Sequence, residues 1–456
     1  MEVFGSSGVR GVVNEDVTPA TVMRIAQAAG SVWDGDRAAV GRDTRATGQM
    51  LADAAASGLA SVGFDVDRLG RIPTPGVQAY CEREGVPALM ITASHNPAEY
   101  NGVKLIAGDG VECDQRTLER VEEQYLAGEV EAVGWAETGD QRTIESARRT
   151  YREGVVAAVD DERIAAADLT VVVDPGHGAG ALTSPELFRE LGCTVHTVNA
   201  QPDGRFPGRD PEPVAAHLTD LCEYVRSTDA DLGIAHDGDA DRAIFVDERG
   251  ELISGDAALA ALGDAVIEAG DTVVSAVNVS QRLVDVIEAA GAELTMTPIG
   301  STYIVTRIRD RQAGGEHVPI AGEGNGGILF PDYRVARDGA YTAAKFCELI
   351  AGRPASEVVA EYDDYANVRR KVTYDGERER AAMLDAVERT AREAIADLNT
   401  TDGYRLDYGD GWVLARPSGT EPVVRVYAEA RTGERADELA EMMVSAIERG
   451  REQAGD

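Results

Sequence analysis

The sequence predicts an α/β protein that consists of three similar α/β units followed by a smaller α+β unit. Three stretches repeat one order of features: an apolar run, a polar loop, a helical segment, a glycine that ends the helix, and a second apolar run. A strand, a helix and a strand in this order require a right-handed parallel crossover. A chain of 456 residues is too long for one hydrophobic core, so we expect several separate cores.

The three copies provide the frame in which the other elements are placed. Their first strands begin at Ala38, Leu169 and Thr272, and their helices end near Gly63, Gly192 and Gly291. Connecting helices are expected at 116–126 and 144–159. The tail is predicted to contain strands at 368–374, 412–414 and 423–427, and helices at 378–398 and 436–447. We therefore expect domains at 1–148, 149–250, 251–362 and 363–456.

Composition restricts the partners and the setting of the protein. A net charge of −36 disfavours nucleic acid and anionic membranes as partners. Lysine occurs only at Lys104, Lys345 and Lys371, and this depletion together with the excess of acid predicts adaptation to high salt. No signal peptide or membrane span is expected, and the five scattered cysteines are typical of reduced thiols in a cytoplasmic protein.

A single hydroxyl follows one strand of the first unit. Residues 88–91 form a short apolar run, and the segment Thr-Ala-Ser-His-Asn-Pro follows at 92–97. We expect Ser94 to be exposed at the carboxyl end of that strand, which is the edge where open α/β sheets bind ligands. Taken alone, this segment is more typical of an ordinary turn rich in Ser and Asn.

Three carboxylates on alternate residues form the most specific local signal. Asp237, Asp239 and Asp241 lie between two strand-like runs, and their spacing allows them to turn toward one hard cation. An EF-hand is disfavoured because Arg242 takes the position that needs glycine. The loop between strands favours Mg²⁺, with Arg242 as a phosphate contact; the alternative is a solvated acidic turn.

Three further loops are weaker signals. The segment Asp-Pro-Gly-His-Gly-Ala-Gly-Ala at 174–181 formally matches a dinucleotide pattern, but we interpret it as a structural turn because no acidic residue follows the next strand. Residues 322–327, Gly-Glu-Gly-Asn-Gly-Gly, present a carboxylate and an amide that suit sugar hydroxyls, although the default interpretation of this pattern alone is a flexible turn. Residues 416–422, Arg-Pro-Ser-Gly-Thr-Glu-Pro, combine a guanidinium, two hydroxyls and backbone amides that suit a phosphate, although an ordinary turn is as typical of this pattern.

Taken together, the loops at 92–97, 237–242, 322–327 and 416–422 resemble those of the α-D-phosphohexomutases, over essentially the whole chain. The chain is most similar to the archaeal-type phosphoglucosamine mutase and phosphomannomutase/phosphoglucomutase group. The resemblance implies three α/β/α domains with mixed sheets and a smaller fourth domain around a central cleft. It also implies a phosphorylated hexose or hexosamine as substrate, and Mg²⁺ as cofactor.

The resemblance further implies a role for individual residues. Ser94 would be the phosphoserine and, with Asp237, Asp239 and Asp241, a metal ligand. Cationic and catalytic groups near it would be Arg10, His95, Lys104 and Arg242, with His95 shaping the turn rather than acting as a base. Substrate contacts would come from Glu323, Asn325, Arg416, Ser418, Gly419 and Thr420.

The implied activity is an interconversion of hexose 6-phosphate and 1-phosphate through an enzyme phosphoserine and a bisphosphate intermediate. Gly300-Ser301 stands where many phosphomannomutase/phosphoglucomutase members have glycine followed by histidine, which favours glucosamine phosphate as the substrate. Phosphomannomutase/phosphoglucomutase activity is the alternative. A Mg²⁺-dependent sugar phosphatase and a non-catalytic sugar-phosphate binding protein are more remote. The state of assembly is left open between monomer and homodimer.

Overall fold

A computed structural model describes residues 4–5, 8–128, 130–418 and 421–455 of the chain. It contains four sheets, three of them mixed and the last antiparallel, and each sheet is covered by helices. The predicted fold class is confirmed: three α/β/α domains precede a smaller C-terminal α+β domain. In the described part of the chain, no helix is both long enough and apolar enough to cross a membrane.

Domain I has a six-stranded sheet in the order β1-β5-β4-β2-β3-β6. Its elements are β1 (Val9–Val12), α1 (Pro19–Val32), β2 (Arg37–Arg42), α2 (Gly48–Ser61), β3 (Asp65–Arg71), α3 (Thr74–Glu84), β4 (Ala88–Ile91), β5 (Tyr100–Ile106), α4 (Gln115–Ala127) and β6 (Gln141–Thr143). The parallel pairing of β2 with β3 is the predicted crossover. Strand β6 was not predicted, because its three exposed polar residues lack an apolar pattern.

Helices α5 (Ala147–Val156) and α6 (Asp161–Ala166) connect domain I to domain II. The single helix expected at 144–159 is thus shorter and is followed by a second one. Domain II contains β7 (Thr170–Asp174), α7 (Ser184–Glu190), β8 (Thr194–Thr197), α8 (Thr219–Arg226), β9 (Leu232–Ala235), β10 (Ile244–Asp247) and β11 (Leu252–Ile253). Strands β9 and β10 pair antiparallel, so the triple-Asp loop connects two adjacent strands, as the sequence predicted.

Domain III repeats the crossover with β12 and β13 in parallel and ends its sheet in a meander of β14, β15 and β16. Its elements are α9 (Gly255–Asp264), β12 (Thr272–Ala276), α10 (Gln281–Ala290), β13 (Glu293–Thr297), α11 (Ser301–Ala313), β14 (Ala321–Glu323), β15 (Gly327–Phe330), β16 (Arg334–Arg337), α12 (Gly339–Ile350) and α13 (Ala355–Val359).

Several separate hydrophobic cores are present, as expected, but one of them continues from domain II into domain III. Phe245 of β10 stacks on Phe346 of α12 with ring centroids 4.2 Å apart, and residues from both domains continue the cluster. This continuity was not predicted, because the apolar outer face of one unit is covered by helices of the next, and sequence periodicity does not specify which helix covers a sheet.

Domain IV has a five-stranded sheet covered on one face by two helices. Its elements are β17 (Ala366–Thr373), α14 (Gly376–Glu393), β18 (Asp397–Asn399), β19 (Tyr404–Asp407), β20 (Gly411–Pro417), β21 (Val423–Ala430) and α15 (Gly433–Gly455). The helix predicted at 378–398 ends at Glu393, and its last predicted residues form the edge strand β18 instead.

Candidate active site

The Ser94 turn is held in an unusual backbone conformation by buried hydrogen bonds. Ser94 follows β4 and has a φ of 50°, which costs a residue with a side chain about 1–3 kcal/mol. The backbone N–H of Ser94 donates to Thr92 Oγ1 at 2.8 Å, and Thr92 Oγ1 donates to Asp43 Oδ2 at 2.7 Å. The neighbouring strand thus contributes the carboxylate that stabilises the turn.

Arg45 is a supporting residue that the sequence reasoning missed. It is buried, forms an ion pair with Asp43 at 3.1 Å, and donates to backbone carbonyl oxygens of the Ser94 loop. Those carbonyls belong to Ser94 (2.8 Å), Asn96 (2.6 Å), Pro97 (2.5 Å) and Tyr100 (2.8 Å). The polar segment Gly-Arg-Asp-Thr-Arg at 41–45 was the available signal, but one sequence does not show which carbonyls a buried arginine binds.

The expectation that Ser94 is exposed was wrong, because its side chain is 0% exposed. Its Oγ donates to Asp237 Oδ2 of domain II at 2.7 Å, so the triple-Asp loop lies directly over the serine. Gly238 permits this approach: a Cβ atom there would lie 2.6 Å from the carbonyl oxygen of Ser94. A loop from another domain therefore covers the strand end that domain I alone would leave open.

The three carboxylates of this loop converge. One oxygen from each of Asp237, Asp239 and Asp241 lies within 4.8 Å of the others, and Ala240 between them has a φ of 56°. Lys104 Nζ donates to both Asp239 and Asp241 at 2.8 Å and is only 2% exposed. The predicted association of the lone nearby lysine with this site is therefore a direct double contact.

Two more residues bind the carboxylates and were missed. Thr74 Oγ1 donates to Asp239 Oδ2 at 2.6 Å, and Arg337 of β16 donates to Asp241 Oδ2 at 2.7 Å. Thr74 begins a helix in domain I, whereas Arg337 ends a strand in domain III. Three domains thus meet at one acidic loop, and no local motif marked either residue.

The three carboxyl groups titrate differently. Burial, followed by the charges of Asp241 and Asp239, raises the pKa of Asp237 to about 8. Burial also acts to raise the pKa of Asp241, but Arg337 and Lys104 outweigh it and hold that pKa well below the usual range. The pKa of Asp239 is likewise lowered against burial and the charge of Asp241, chiefly by Lys104. The Ser94 hydroxyl thus donates to the carboxyl group whose pKa is raised, whereas the two carboxylates that accept from Lys104 have lowered pKa values.

The cationic groups next to Ser94 make His95 a poor base. Arg242, burial and Arg10 lower the pKa of His95 to about 2, so the imidazole is neutral and weakly basic. Its Nδ1 lies 3.4 Å from Ser94 Oγ. Arg10 donates to Asn96 Oδ1 at 3.1 Å, and Arg242 Nε lies 3.9 Å from Asp237 Oδ2. This arrangement can attract an anion toward the serine.

Two cavities open along the cleft between the domains. The Ser94-side cavity, about 900 Å³, is lined by Arg10, His95 and Asn96 of domain I and by strands of domain IV. The Glu323-side cavity, about 500 Å³, is lined by Arg242, Glu323 and Asn325 among others. The volumes are those of small-molecule sites.

The third predicted loop is a tight turn between β14 and β15. Asn325 Oδ1 accepts from the N–H of Gly327 at 3.0 Å, and Asn325 Nδ2 lies 3.5 Å from Glu323 Oε2. Gly300-Ser301, the position that favoured glucosamine phosphate in the sequence, does not line the Glu323-side cavity. Ser301 is buried and donates to Glu112 at 2.8 Å, and it is Ile299 that lines the Glu323-side cavity.

The fourth loop connects β20 and β21 at the edge of the cleft. Arg416 Nε lies 2.9 Å from Asp402 Oδ2, and the backbone N–H of Glu421 donates to Ser418 Oγ at 3.3 Å. Arg416 is paired in register with Arg425, which lines both cavities. The predicted contacts Gly419 and Thr420 lie outside the described residues.

Comparison with known families places these features in context. Models of the phosphoglucomutase/phosphomannomutase alpha/beta/alpha domains I, II and III match residues 1–131, 149–250 and 254–365, and the model of the C-terminal domain matches residues 366–446. The chain belongs to this family, within the α-D-phosphohexomutase superfamily. It is a phosphohexose mutase and therefore an intramolecular phosphotransferase.

Similar proteins extend over almost the full length. A phosphoglucomutase/phosphomannomutase of Thermococcus kodakarensis is 39% identical, and a probable phosphoglucosamine mutase of Methanopyrus kandleri is 41% identical; each alignment covers 98% of both chains. The crystal structure of a phosphoglucomutase/phosphomannomutase family protein from Burkholderia thailandensis superposes with a TM-score of 0.86 at 27% identity, covering 98% of this chain and 97% of the other. The four-domain architecture is therefore common to solved members of the family.

Proposed function

We propose that this mutase interconverts glucosamine 6-phosphate and glucosamine 1-phosphate, with Ser94 as the residue that carries the phosphoryl group. The observation that carries the proposal is the 2.7 Å hydrogen bond from Ser94 Oγ to Asp237, inside a buried carboxylate cluster that also binds Lys104. A serine in a strained turn, beside acidic and cationic groups, has the environment that phosphoryl transfer needs.

The chemistry requires placement and charge neutralisation more than covalent assistance. The phosphoryl group leaves Ser94 Oγ and bonds to the free hydroxyl of the sugar phosphate, and the serine oxygen regains the proton that the hydroxyl loses. The bisphosphate then reorients, its other phosphoryl group leaves the sugar oxygen and bonds to Ser94 Oγ, and that sugar oxygen takes up the proton that the serine hydroxyl loses. Arg10 and Arg242 supply positive charge beside the serine, whereas Lys104 forms ion pairs with Asp239 and Asp241. His95 positions the turn, since a pKa of about 2 makes it a poor base.

The carboxylate cluster fits Mg²⁺. Asp239 Oδ1 and Asp241 Oδ1 are buried atoms without a hydrogen-bond partner within the described parts of the chain, and hard oxygen donors of this kind are the ligands that Mg²⁺ prefers. Asp237, Asp239, Asp241 and an oxygen on Ser94 would hold the ion, which would neutralise charge on the transferring phosphoryl group. Treatment with a chelator should abolish turnover, and added Mg²⁺ should restore it.

Glu323 and Asn325 would bind sugar hydroxyls, because both line the Glu323-side cavity with polar oxygen and nitrogen atoms. Arg416, Ser418, Gly419 and Thr420 would hold the phosphate that is not reacting. For the described part of this loop, support comes from Arg416, whose register neighbour Arg425 lines both cavities.

Relatives of similar identity differ in the hexose phosphate that their names specify. The Methanopyrus kandleri relative is called a probable phosphoglucosamine mutase and the Thermococcus kodakarensis relative a phosphoglucomutase/phosphomannomutase. Phosphomannomutase/phosphoglucomutase activity is thus the second candidate. Ser301 is buried against Glu112 and does not line the Glu323-side cavity, so it does not select against this activity by touching the substrate. Turnover of glucosamine 6-phosphate, mannose 1-phosphate and glucose 1-phosphate should be compared; a clear preference for a neutral sugar refutes the glucosamine assignment.

The role of Ser94 is tested by intact mass and by a matched pair of variants. Mild phosphatase treatment should remove one phosphoryl group that maps to Ser94, and Ser94→Ala should lose mutase activity. Ser57→Ala, at an exposed position on α2, serves as the control and should keep activity. Activity retained by Ser94→Ala would refute the phosphoserine mechanism, and release of inorganic phosphate at the rate of sugar conversion would indicate a phosphatase.

We infer a cytoplasmic protein, for which the support is that the five cysteines are free thiols. Adaptation to high salt rests on the charge of −36 and the scarcity of lysine, and should appear as loss of stability when salt is removed. Assembly as a monomer or a homodimer can be decided by analytical ultracentrifugation.

A further inference from the structure

The two cavities of the cleft meet at a small group of residues. Four residues line both cavities: Glu212 of domain II and Arg369, Arg425 and Tyr427 of domain IV. A sugar phosphate that presents first one end and then the other to Ser94, with the opposite end at the loop 416–422, has to pass this junction. The charged groups there therefore meet substrate in more than one orientation.

The strand register explains why Arg369 points into the cleft. Strands β17 and β21 are antiparallel, with Arg369 opposite Tyr427 and Lys371 opposite Arg425. The alternate residues Val372 and Val426 belong to the core beneath the two helices. Because successive side chains alternate between the faces of a sheet, the row containing Arg369 lies on the opposite, cleft-facing side.

Arg369 differs from its cationic neighbours because its guanidinium has no hydrogen-bonded or ion-paired partner among the described residues, although its charge acts on Asp256 of the Glu323-side cavity. Arg425 donates to Glu421 at 2.7 Å, and Lys371 Nζ lies 3.2 Å from the same carboxylate. Across residues 4–5, 8–128, 130–418 and 421–455, the exposed guanidinium of Arg369 makes neither a hydrogen bond nor an ion pair. In a chain with 80 acidic and 44 basic residues, an unpaired arginine inside the cleft is available for an anionic ligand.

We propose that Arg369 is a further substrate-binding residue, which holds a phosphate of the hexose bisphosphate while the sugar reorients between the two cavities. This rests on the proposed function, since it deepens the role of the same cleft. The planar fork of a guanidinium donates two parallel hydrogen bonds to phosphate oxygens, and its position at the junction of the cavities allows contact in either orientation. Arg369 would thereby keep the bisphosphate intermediate in the cleft. An intermediate that escapes leaves Ser94 without its phosphoryl group, and the enzyme is then inactive.

The experiment compares Arg369→Gln with Arg392→Gln. Arg392 is an exposed arginine of α14 that lines neither cavity, and it donates to Glu388 at 2.8 Å. The full chain of each variant is assayed with the preferred sugar phosphate, with and without the matching hexose 1,6-bisphosphate. Intact mass after turnover reports how much Ser94 remains phosphorylated.

For Arg369→Gln we expect KM to increase by about 10–100-fold, because one or two charge-assisted hydrogen bonds to the substrate are lost. We also expect activity to depend on added bisphosphate and phosphorylated Ser94 to decline during turnover. Arg369→Lys should recover part of the loss, and the thermal midpoints should match the parent because Arg369 is unpaired. If Arg369→Gln matches Arg392→Gln in KM, bisphosphate dependence and phosphorylation, the inference is wrong. A parent enzyme inactive on every hexose phosphate would instead overturn the proposed function.

Discussion

Replacement of Lys104 by methionine tests whether the charge of this lysine holds the active-site loops of domains I and II together. Lys104 extends from β5 of domain I, is 2% exposed, and donates to Asp239 and Asp241 of domain II at 2.8 Å each. Methionine keeps the length and the apolar stem but leaves two buried carboxylates without their cation. Removal of one partner from a buried pair costs about 3–5 kcal/mol.

The assay is differential scanning calorimetry in the presence of a chelator, so that bound cations do not replace the lysine charge. In a unit of roughly 150–250 residues, 1 kcal/mol shifts the midpoint by about 2–4 °C. The transition that contains domains I and II should therefore fall by about 6–20 °C. Mutase activity should be lost as well, because the carboxylate cluster is then no longer held in place.

The control is Lys371→Met, which removes an exposed lysine that lies 3.2 Å from Glu421. A surface pair of this kind contributes about 0–1 kcal/mol, so its midpoint should move by no more than about 4 °C. If Lys104→Met shifts the midpoint no further than Lys371→Met, the buried pair does not hold the domains together and the reasoning is refuted.

Three further substitutions follow from the structure. Glu429→Gln removes the carboxylate that binds Arg282 at 3.0 Å across the domain III–IV boundary, so the domain IV transition should fall by several degrees in calorimetry; an unchanged midpoint would contradict this. Gly238→Ala places a Cβ 2.6 Å from the carbonyl oxygen of Ser94 and should lower kcat at least about tenfold, whereas Gly154→Ala on α5, where nothing lies within 4 Å, should be neutral in the same assay. His317 has a pKa raised above 6.5 by hydrogen bonds to two carboxylates, so its stabilisation is complete below pH 6.5 and is lost as pH rises through the folded pKa. The midpoint difference between the parent and His317→Gln should shrink accordingly, and a difference that grows with pH would show the opposite sign.

Local patterns predicted the elements because each depends on neighbours in sequence. The run at 169–173 and the glycine at 192 predicted a strand and the end of a helix, and the structure has β7 and a positive φ at Gly192. The edge strand β6 was missed because its residues are polar and exposed. The helix predicted at 378–398 was too long, because the helical pattern continues into residues that instead pair with β19 as strand β18.

The site residues divide in the same way. Ser94 and the three aspartates were predicted because they lie in recognisable loops, and Lys104 of β5 was predicted from the family resemblance; the structure brings these residues within hydrogen-bonding distance. Arg369, in contrast, belongs to no motif, and only the register of β17 with β21 places it in the cleft.

What the sequence by itself determined is the order of the secondary structure, the fold class and the candidate loops for the chemistry, because backbone propensity and short motifs are encoded locally. Only the tertiary structure decided that Ser94 is covered rather than exposed, that domains II and III share a core, and that Arg45, Thr74 and Arg337 support the site. These contacts join residues separated by up to 165 positions, as for Thr74 and Asp239, and depend on how one domain packs against the next. Burial and charge pairing are properties of that packing, so they have no counterpart in a local pattern.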